Sequence, residues 1–265
     1  MTERVITSLT NDTVKNVRAL HMRKERDQTG AFLAEGLKFI GEALDQGRAP
    51  RMLLVGEDAR PHPLLDRAKA ETIKAGGDIV VVTHAILEKI SRRDNPQTVL
   101  GVFDQAYVSL DSLDPASAPC WVALEQVRDP GNLGTIIRTA DAAGCGGVIL
   151  IGDCVDPYSV EAVRATMGSV FAVSITRTTP EAFLAWRKTW PGSVVGTRLD
   201  ATVSHRAAVM RKPSLILLGN EQAGLTDDLA AACDVNVKIP MRGRADSLNL
   251  AIATGIMVYA ATDDA

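Results

Sequence analysis

The feature that most constrains the fold is a set of short apolar runs that do not alternate with polar residues. Val148–Ile151 and Leu215–Leu218 contain only Val, Ile and Leu. Such strands are typical of a parallel sheet that is covered by helices on both faces. The C-terminal part therefore predicts an α/β fold with a parallel sheet. The predicted strands are 120–124, 148–151, 171–175, 193–196, 214–218 and 235–239.

The N-terminal part has a similar but smaller pattern. It predicts strands at 52–55, 79–82 and 99–103 and helices at 11–26, 35–46, 62–75 and 83–91. Asp111–Pro119 contains two Pro, two Asp and two Ser residues, which is typical of a linker. We therefore expect a smaller α/β domain at 1–106, a linker at 107–119 and a second domain at 120–265.

Composition excludes several classes of protein. Hydrophobic residues make up 46% and charged residues 23% of the 265, which excludes general disorder. The formal net charge is −3, so contact with a nucleic acid requires a local basic patch. The four Cys residues lack C-x-x-C spacing, and with only four His residues we expect no metal site. Without a signal-peptide pattern or a membrane-length apolar run, we expect a soluble, cytoplasmic protein.

The first segment with unusual chemistry is Glu125–Gly144. It leaves a strand, turns at Pro130–Asn132 and is predicted to enter a helix near Gly134. Arg138 would then lie at the carboxyl end of a strand, where open α/β sheets bind their ligands. A plain strand-to-helix turn with an Asn cap and a solvated Arg is the alternative.

The second segment is Leu217–Leu225. A buried strand ends at Gly219, where the missing Cβ lets a ligand or another backbone segment approach closely. Asn220 and Glu221 follow at the exit of the strand. An ordinary strand-to-helix turn is the alternative.

The third segment is Ile239–Ala260. Ser247 is placed to cap a helix over 248–260 that contains no charged residue, so we expect this helix to be buried nearly all round. A single small domain rarely encloses a terminal helix, which points to cover from a second subunit. Asn249 is the strongly polar side chain of the first turn, and a capping role is its simpler alternative.

Together these segments resemble the three motifs of the SpoU (TrmH) branch of the SPOUT RNA methyltransferases. The matches are N-x-G-x-x-x-R ending at Arg138, G-N-E-x-x-G at Gly219–Gly224 and I-P-M-x-G…S-L-N-L at Ile239–Leu250. The N-terminal part is similar to the substrate-binding domain that often precedes this catalytic domain. The cues for it are Lys15–Arg26, Phe32–Gly36 and Pro96–Gly101.

The resemblance implies a deep trefoil knot, a homodimer through the C-terminal domain, and S-adenosylmethionine-dependent transfer of a methyl group to a ribose 2′-hydroxyl. It assigns Arg138 to the ribose hydroxyl. The polar residues that complete the catalytic site by resemblance are Asn132, Glu221, Ser247 and Asn249. The residues expected to hold the cofactor are Gly219, Ile239 and Leu248, with Thr197 in addition.

RNA binding is expected mainly in residues 1–106. Between Lys15 and Arg26, five basic residues are opposed only by Glu25, a patch suited to phosphates. These residues are Lys15, Arg18, Arg23, Lys24 and Arg26. A solvated helix face is the alternative.

The choice of substrate stays open at this point. Ribosomal RNA is the first expectation because the two-domain arrangement is common among rRNA modifiers, and tRNA is the second. A non-catalytic RNA-binding or ribosome-assembly protein on the same scaffold is the rival class. Retention of Arg138, Glu221, Ser247 and Asn249 argues against that rival. No G-x-G-x-x-G follows the first strand of the second domain, which disfavours a dinucleotide-dependent enzyme.

Overall fold

A computed structural model describes residues 3–263. The strands are β1 (Arg4–Ile6), β2 (Ala31–Glu35), β3 (Met52–Gly56), β4 (Asp78–Val82), β5 (Val99–Asp104), β6 (Cys120–Glu125), β7 (Gly147–Ile151), β8 (Ser174–Thr178), β9 (Val194–Thr197), β10 (Val203–Ser204), β11 (Ser214–Leu218) and β12 (Val235–Lys238). The α-helices are α1 (Asp12–Ala19), α2 (Arg23–Thr29), α3 (Leu37–Asp45), α4 (Pro63–Lys74), α5 (His84–Ser91), α6 (Pro130–Ala142), α7 (Val160–Thr166), α8 (Pro180–Arg187), α9 (Asp227–Ala231) and α10 (Leu250–Thr262).

The chain forms two compact units. The first contains the residues up to Gln105 together with Tyr158–Ala172, and the second contains Ala106–Pro157 and the residues from Val173 onward. The predicted linker at 107–119 carries two short 3-10 turns, Leu110–Ser112 and Pro115–Ser117. The domain boundaries expected from the sequence, 1–106 and 120–265 with a linker between them, stay a prediction.

The first unit is built on a five-stranded sheet of order β1-β4-β3-β5-β2. In this sheet β5 runs antiparallel to both of its neighbours, β2 and β3. Its core lies between the sheet and the helices α1 and α5, where Val14, Val17, Ile86 and Ile90 are all buried. The unit is therefore a mixed α/β structure with its own apolar core.

Tyr158–Ala172 joins this first unit through aromatic and ionic contacts. The ring of Tyr158 lies 4.7 Å from that of Phe32, and the ring of Phe171 lies 4.8 Å from that of Phe103. The guanidinium of Arg164 donates to both carboxylate oxygens of Glu35 at 2.7 Å. Because the Glu35 side chain is only 3% exposed, water screens this ion pair weakly.

The second unit contains a seven-stranded sheet of order β10-β12-β9-β11-β6-β7-β8. All the pairs in this sheet are parallel. The strands that were predicted from unbroken apolar runs, β7 and β11, are buried along their whole length. The carboxyl ends of β6, β9, β11 and β12 therefore share one edge of the sheet, where a ligand site is expected in this class of fold.

Several predicted elements have different bounds. The single helix expected over 11–26 is two helices, because the backbone is extended at Met22 (φ −93°, ψ 131°). The helix expected at 35–46 begins at Leu37, since Ala31–Glu35 forms the fully buried strand β2, which was not predicted. The strand expected at 171–175 begins at Ser174, after a 3-10 turn at Ser169–Phe171. The short strands β1 and β10 were also missed.

Candidate functional site

A cavity of about 660 Å³ opens at the carboxyl edge of the parallel sheet. Four segments that are distant in sequence line it: the start of α6, the exit of β9, the loop after β11 and the stretch from the end of β12 to the start of α10. Of the predicted site residues it brings together Asn132, Thr197, Gly219, Glu221, Ile239, Ser247, Leu248 and Asn249.

Arg138 lies outside this lining. It is an exposed residue of α6, six positions or roughly 9 Å along the helix axis from Asn132. Within residues 3–263 its guanidinium makes no hydrogen bond or ion pair. Its charge is therefore available to a bound polyanion.

The helix that carries Asn132 and Arg138 begins earlier than expected. α6 starts at Pro130, about one turn before the predicted start near Gly134. Pro is well suited to the first helical position, where its missing N–H would have no intrahelical partner. The cap is Asp129, whose Oδ1 accepts from the Asn132 N–H at 2.6 Å. The sequence-based alternative of an Asn cap is therefore wrong, and Asn132 keeps its side chain for other contacts.

The loop after β11 closes on itself at Gly219. A Cβ at Gly219 would overlap the backbone of Gly224 and Leu225. The N–H of Asn220 donates to the Gly224 carbonyl at 3.1 Å, and the Gly224 N–H donates back to the Asn220 carbonyl at 2.9 Å. The sequence predicted that a ligand or another backbone segment approaches Gly219 closely. This structure shows the approach of a backbone segment.

Glu221 is held at the exit of β11 by donors from the start of α6. Its carboxylate accepts from the N–H of Arg128 at 3.2 Å and from the N–H of Asp129 at 3.3 Å. The same carboxylate accepts from Nδ2 of Asn132 at 3.3 Å. Glu221 therefore links the loop after β11 to the first turn of α6.

The third motif starts its helix later than expected. α10 begins at Leu250, and Asn249 is its N-cap because Oδ1 accepts from the N–H groups of Ala251 and Ile252 at 2.9 and 3.3 Å. The expectation that Ser247 caps the helix is wrong, since the exposed Ser247 hydroxyl donates to Asp246 at 3.2 Å. Asn249 also donates from Nδ2 to Oδ1 of Asn132 at 2.8 Å.

α10 is buried on one side only. Met257 and Val258 are fully buried, whereas Ile252 is 56% and Tyr259 48% exposed. A single copy of the chain therefore leaves one face of this helix uncovered, and the expected cover by a second subunit stays a prediction. The large exposed side chains of this face are Ile252 and Tyr259, and Leu248 lies just before the helix.

One of the five residues predicted for the basic patch of the first unit, Arg26, is not at the surface. Arg26 is 3% exposed, and its Nη1 donates to the Leu20 carbonyl at 2.7 Å, so it anchors the turn between α1 and α2 from inside. Lys15, Arg23 and Lys24 are exposed and Arg18 is half-buried.

A charged group on the cavity rim was missed by the sequence reasoning. Arg198 makes hydrogen bonds of 2.9 Å to both Asp200 oxygens and one of 2.7 Å to Asp227. These hydrogen bonds raise the pKa of Arg198 and lower that of Asp200. The signal was present in the sequence as Arg198-Leu-Asp200 directly after a buried strand.

Among residues 3–263, no three His, Cys, Asp or Glu side chains cluster so as to hold a metal ion. No helix in the same range has the length and apolarity needed to cross a membrane.

Comparison with known proteins identifies the family. The model of the SpoU rRNA Methylase family matches residues 119–259, and that of the MRM3-like substrate binding domain matches residues 11–101. RlmP of Bacillus subtilis (strain 168), a 23S rRNA (guanosine(2553)-2′-O)-methyltransferase, is 30% identical over 96% of this chain and 97% of its own length. The 23S rRNA (uridine(2479)-2′-O)-methyltransferase of Streptomyces viridochromogenes is 30% identical over 90% of this chain and 85% of its own. The crystal structure of an AdoMet-bound rRNA methyltransferase from Sinorhizobium meliloti has a TM-score of 0.91 at 48% identity, covering 97% of both chains.

The parallel sheet and the match to the SpoU rRNA Methylase family define a methyltransferase of the α/β type. The chain belongs to the SpoU methylase family, with a substrate-binding domain of the MRM3-like type before it. The resemblance stated from the three motifs is thereby confirmed, as is the expected fold class, a parallel α/β domain preceded by a smaller α/β domain.

Proposed function

We propose that this protein transfers a methyl group from S-adenosylmethionine to a ribose 2′-hydroxyl of ribosomal RNA. The observation that carries the proposal is the convergence of four distant segments on one cavity, with Asn132, Glu221 and Asn249 joined by hydrogen bonds at its wall. The names of the relatives from Bacillus subtilis and Streptomyces viridochromogenes support 23S rRNA as the substrate class.

The cavity fits S-adenosylmethionine in size and chemistry. Its volume of about 660 Å³ lies within the roughly 300–1,000 Å³ of sites that hold ligands of this size. Its lining combines apolar side chains such as Leu218 and Val237 with polar groups, which suits a ligand with a purine ring and a charged amino-acid end. Backbone groups at Gly219, Ile239 and Leu248, with Thr197, are the groups that would hold it. The bound cofactor supplies an electrophilic methyl group.

Arg138 is proposed as the residue that acts on the ribose hydroxyl. A guanidinium stays protonated, with a pKa above about 12, and is a poor base. It stabilises negative charge that develops on the 2′-oxygen, and an RNA phosphate helps to orient or accept the proton. The exposed, unpaired state of Arg138 fits a group that completes its contacts only when RNA is bound.

The direct test is incorporation of a labelled methyl group from S-adenosylmethionine into purified rRNA and, separately, into tRNA. We expect incorporation into rRNA and resistance of the product to alkaline cleavage at one nucleotide, since a 2′-O-methyl group blocks that reaction. Cofactor binding measured by calorimetry is expected to survive EDTA. Methylation of tRNA alone would change the proposed substrate, and methylation of neither RNA would overturn the proposed function.

The exposed cations of α1 and α2 are proposed to contact RNA phosphates. Lys24→Glu is expected to raise the Kd for an rRNA fragment by about tenfold and to reduce the salt dependence of binding by roughly one phosphate contact. Turnover at saturating RNA is expected to stay unchanged, because Lys24 is not in the cavity. Filter binding across a salt series measures both effects. Arg60→Glu, at another exposed position of the same unit, is the control, and equal losses for both variants would contradict this surface.

The exposed stripe of α10 is proposed as a homodimer interface. Ile252 and Tyr259 leave large apolar areas in water, and burying such a side chain is worth about 1.5–3 kcal/mol. Ile252→Asp is therefore expected to convert a dimer into a monomer at micromolar concentration, as measured by light scattering. Val209→Asp is the control, since Val209 is 84% exposed and lies outside α10. A wild-type protein that is monomeric at this concentration would exclude the interface.

A further inference from the structure

Three polar side chains at the wall of the cavity form a chain of hydrogen bonds with a single direction. Asn249 donates from Nδ2 to Oδ1 of Asn132 at 2.8 Å, and Asn132 donates from Nδ2 to the carboxylate of Glu221 at 3.3 Å. At the far end Oδ1 of Asn249 accepts from two N–H groups of α10. Every amide in the chain uses its oxygen on one side and its nitrogen on the other.

The direction is fixed from both ends. The Glu221 carboxylate already accepts from two backbone N–H groups and has only acceptor atoms, so Asn132 must turn its NH₂ group toward it. The first N–H groups of α10 have no intrahelical acceptor, so Asn249 must turn its oxygen toward them. The middle contact is then an Asn132 oxygen facing an Asn249 nitrogen, and this is the contact that the structure contains.

We propose that Asn132 and Asn249 are positioning residues, which act by fixing the first turn of α10 against the first turn of α6 and the Glu221 loop. The oxygen and one N–H of each amide are engaged within the protein. A neutral amide oxygen is also too weak a base to take the proton of the ribose hydroxyl. This role rests on the proposed methyl transfer and replaces the catalytic assignment that the resemblance implies. Because α6 also carries Arg138, this set of hydrogen bonds fixes where that guanidinium lies relative to the cavity.

The test is to exchange donors and acceptors along the hydrogen bonds that join Asn249, Asn132 and Glu221. Glu221→Gln alone replaces one carboxylate oxygen with an NH₂ group, which then faces either the Arg128 N–H or both the Asp129 N–H and the Asn132 NH₂ group. Asn249→Asp alone places a carboxylate oxygen against the Asn132 oxygen while keeping a good helix cap. In the double variant Asn132 can turn over, accept from the amide introduced at position 221 and donate to the carboxylate introduced at position 249. We expect each single variant to lose about tenfold or more in kcat. The loss in the double variant is expected to stay near that of Glu221→Gln and far below the product of the two losses, because one backbone N–H still faces the introduced NH₂ group.

A readout independent of activity is the thermal unfolding midpoint, whose decrease in the double variant is likewise expected to be smaller than the sum of the two single decreases. Asn11→Asp is the matched control: Asn11 caps α1 with one hydrogen bond of 2.9 Å, so the same chemical change there is expected to leave kcat unaltered. If the two losses in kcat multiply in the double variant, the proposed positioning role is wrong and a direct role at the reacting atoms is favoured. Absence of methylation by the wild type would instead overturn the proposed function itself, while the unfolding midpoints would still test the chain.

Discussion

Replacing Arg138 with Ala is expected to lower kcat for RNA methylation by about 10²–10³-fold, the usual cost of removing one preorganised group that stabilises developing charge. The affinity for S-adenosylmethionine is expected to stay within a few-fold, because Arg138 does not line the cavity. Steady-state assays at saturating RNA and cofactor measure the first quantity, and calorimetry without RNA measures the second. A lower kcat with unchanged affinity for S-adenosylmethionine identifies an interaction that is made only in the transition state.

Two further variants make this result specific. Arg138→Lys keeps the charge but loses the planar fork that binds phosphate or oxyanion in two places, so partial activity is expected. Arg206→Ala removes an exposed guanidinium elsewhere in the same unit and is expected to leave kcat unchanged. If Arg138→Ala lost the cofactor and kept its turnover at saturation, the assignment to the ribose hydroxyl would be wrong.

The sequence predicted the sheet of the second unit best where burial is uniform. Leu215–Leu218 can only be buried on both faces, and β11 is a central strand of the parallel sheet. The order of the strands could not be predicted in this way, because β11 pairs with β6 and β9 through contacts far apart in the chain. Periodicity carries no information about such partners.

The helix starts were predicted less well, because a cap depends on the local geometry of several candidate residues. Ser247 and Asn249 are both good caps in sequence terms, and only the backbone path decides that Asn249 is the one used. Arg26 shows the same limit, since its charge predicted a surface position whereas its guanidinium satisfies a carbonyl inside the turn. The role of Tyr158–Ala172 in the first unit was also out of reach, because Tyr158 and Phe171 contact rings more than fifty residues away in sequence.

Gly219 is the position where a single methyl group is expected to damage the site most. Gly219→Ala is expected to open the loop after β11, since its Cβ would occupy the place of the Gly224 and Leu225 backbone. The paired hydrogen bonds between Asn220 and Gly224 and the position of Glu221 depend on that closure. Overpacking of this kind costs about 1–3 kcal/mol, and the affinity for S-adenosylmethionine is expected to fall by roughly 10–100-fold.

The matched control for Gly219→Ala is Gly255→Ala in the same unit. A Cβ at Gly255 would lie 3.7 Å from Cγ2 of Thr139, an ordinary contact, and Ala in a helix is favoured over Gly by about 0.5–1 kcal/mol. Calorimetry and thermal unfolding should therefore show lost cofactor binding and lower stability for the first variant and neither loss for the second. Because Gly219 contributes no side-chain group to catalysis, its effect must pass through the shape of the cavity wall. Retention of full cofactor affinity by Gly219→Ala would place the cofactor away from the loop after β11, and with it away from Glu221.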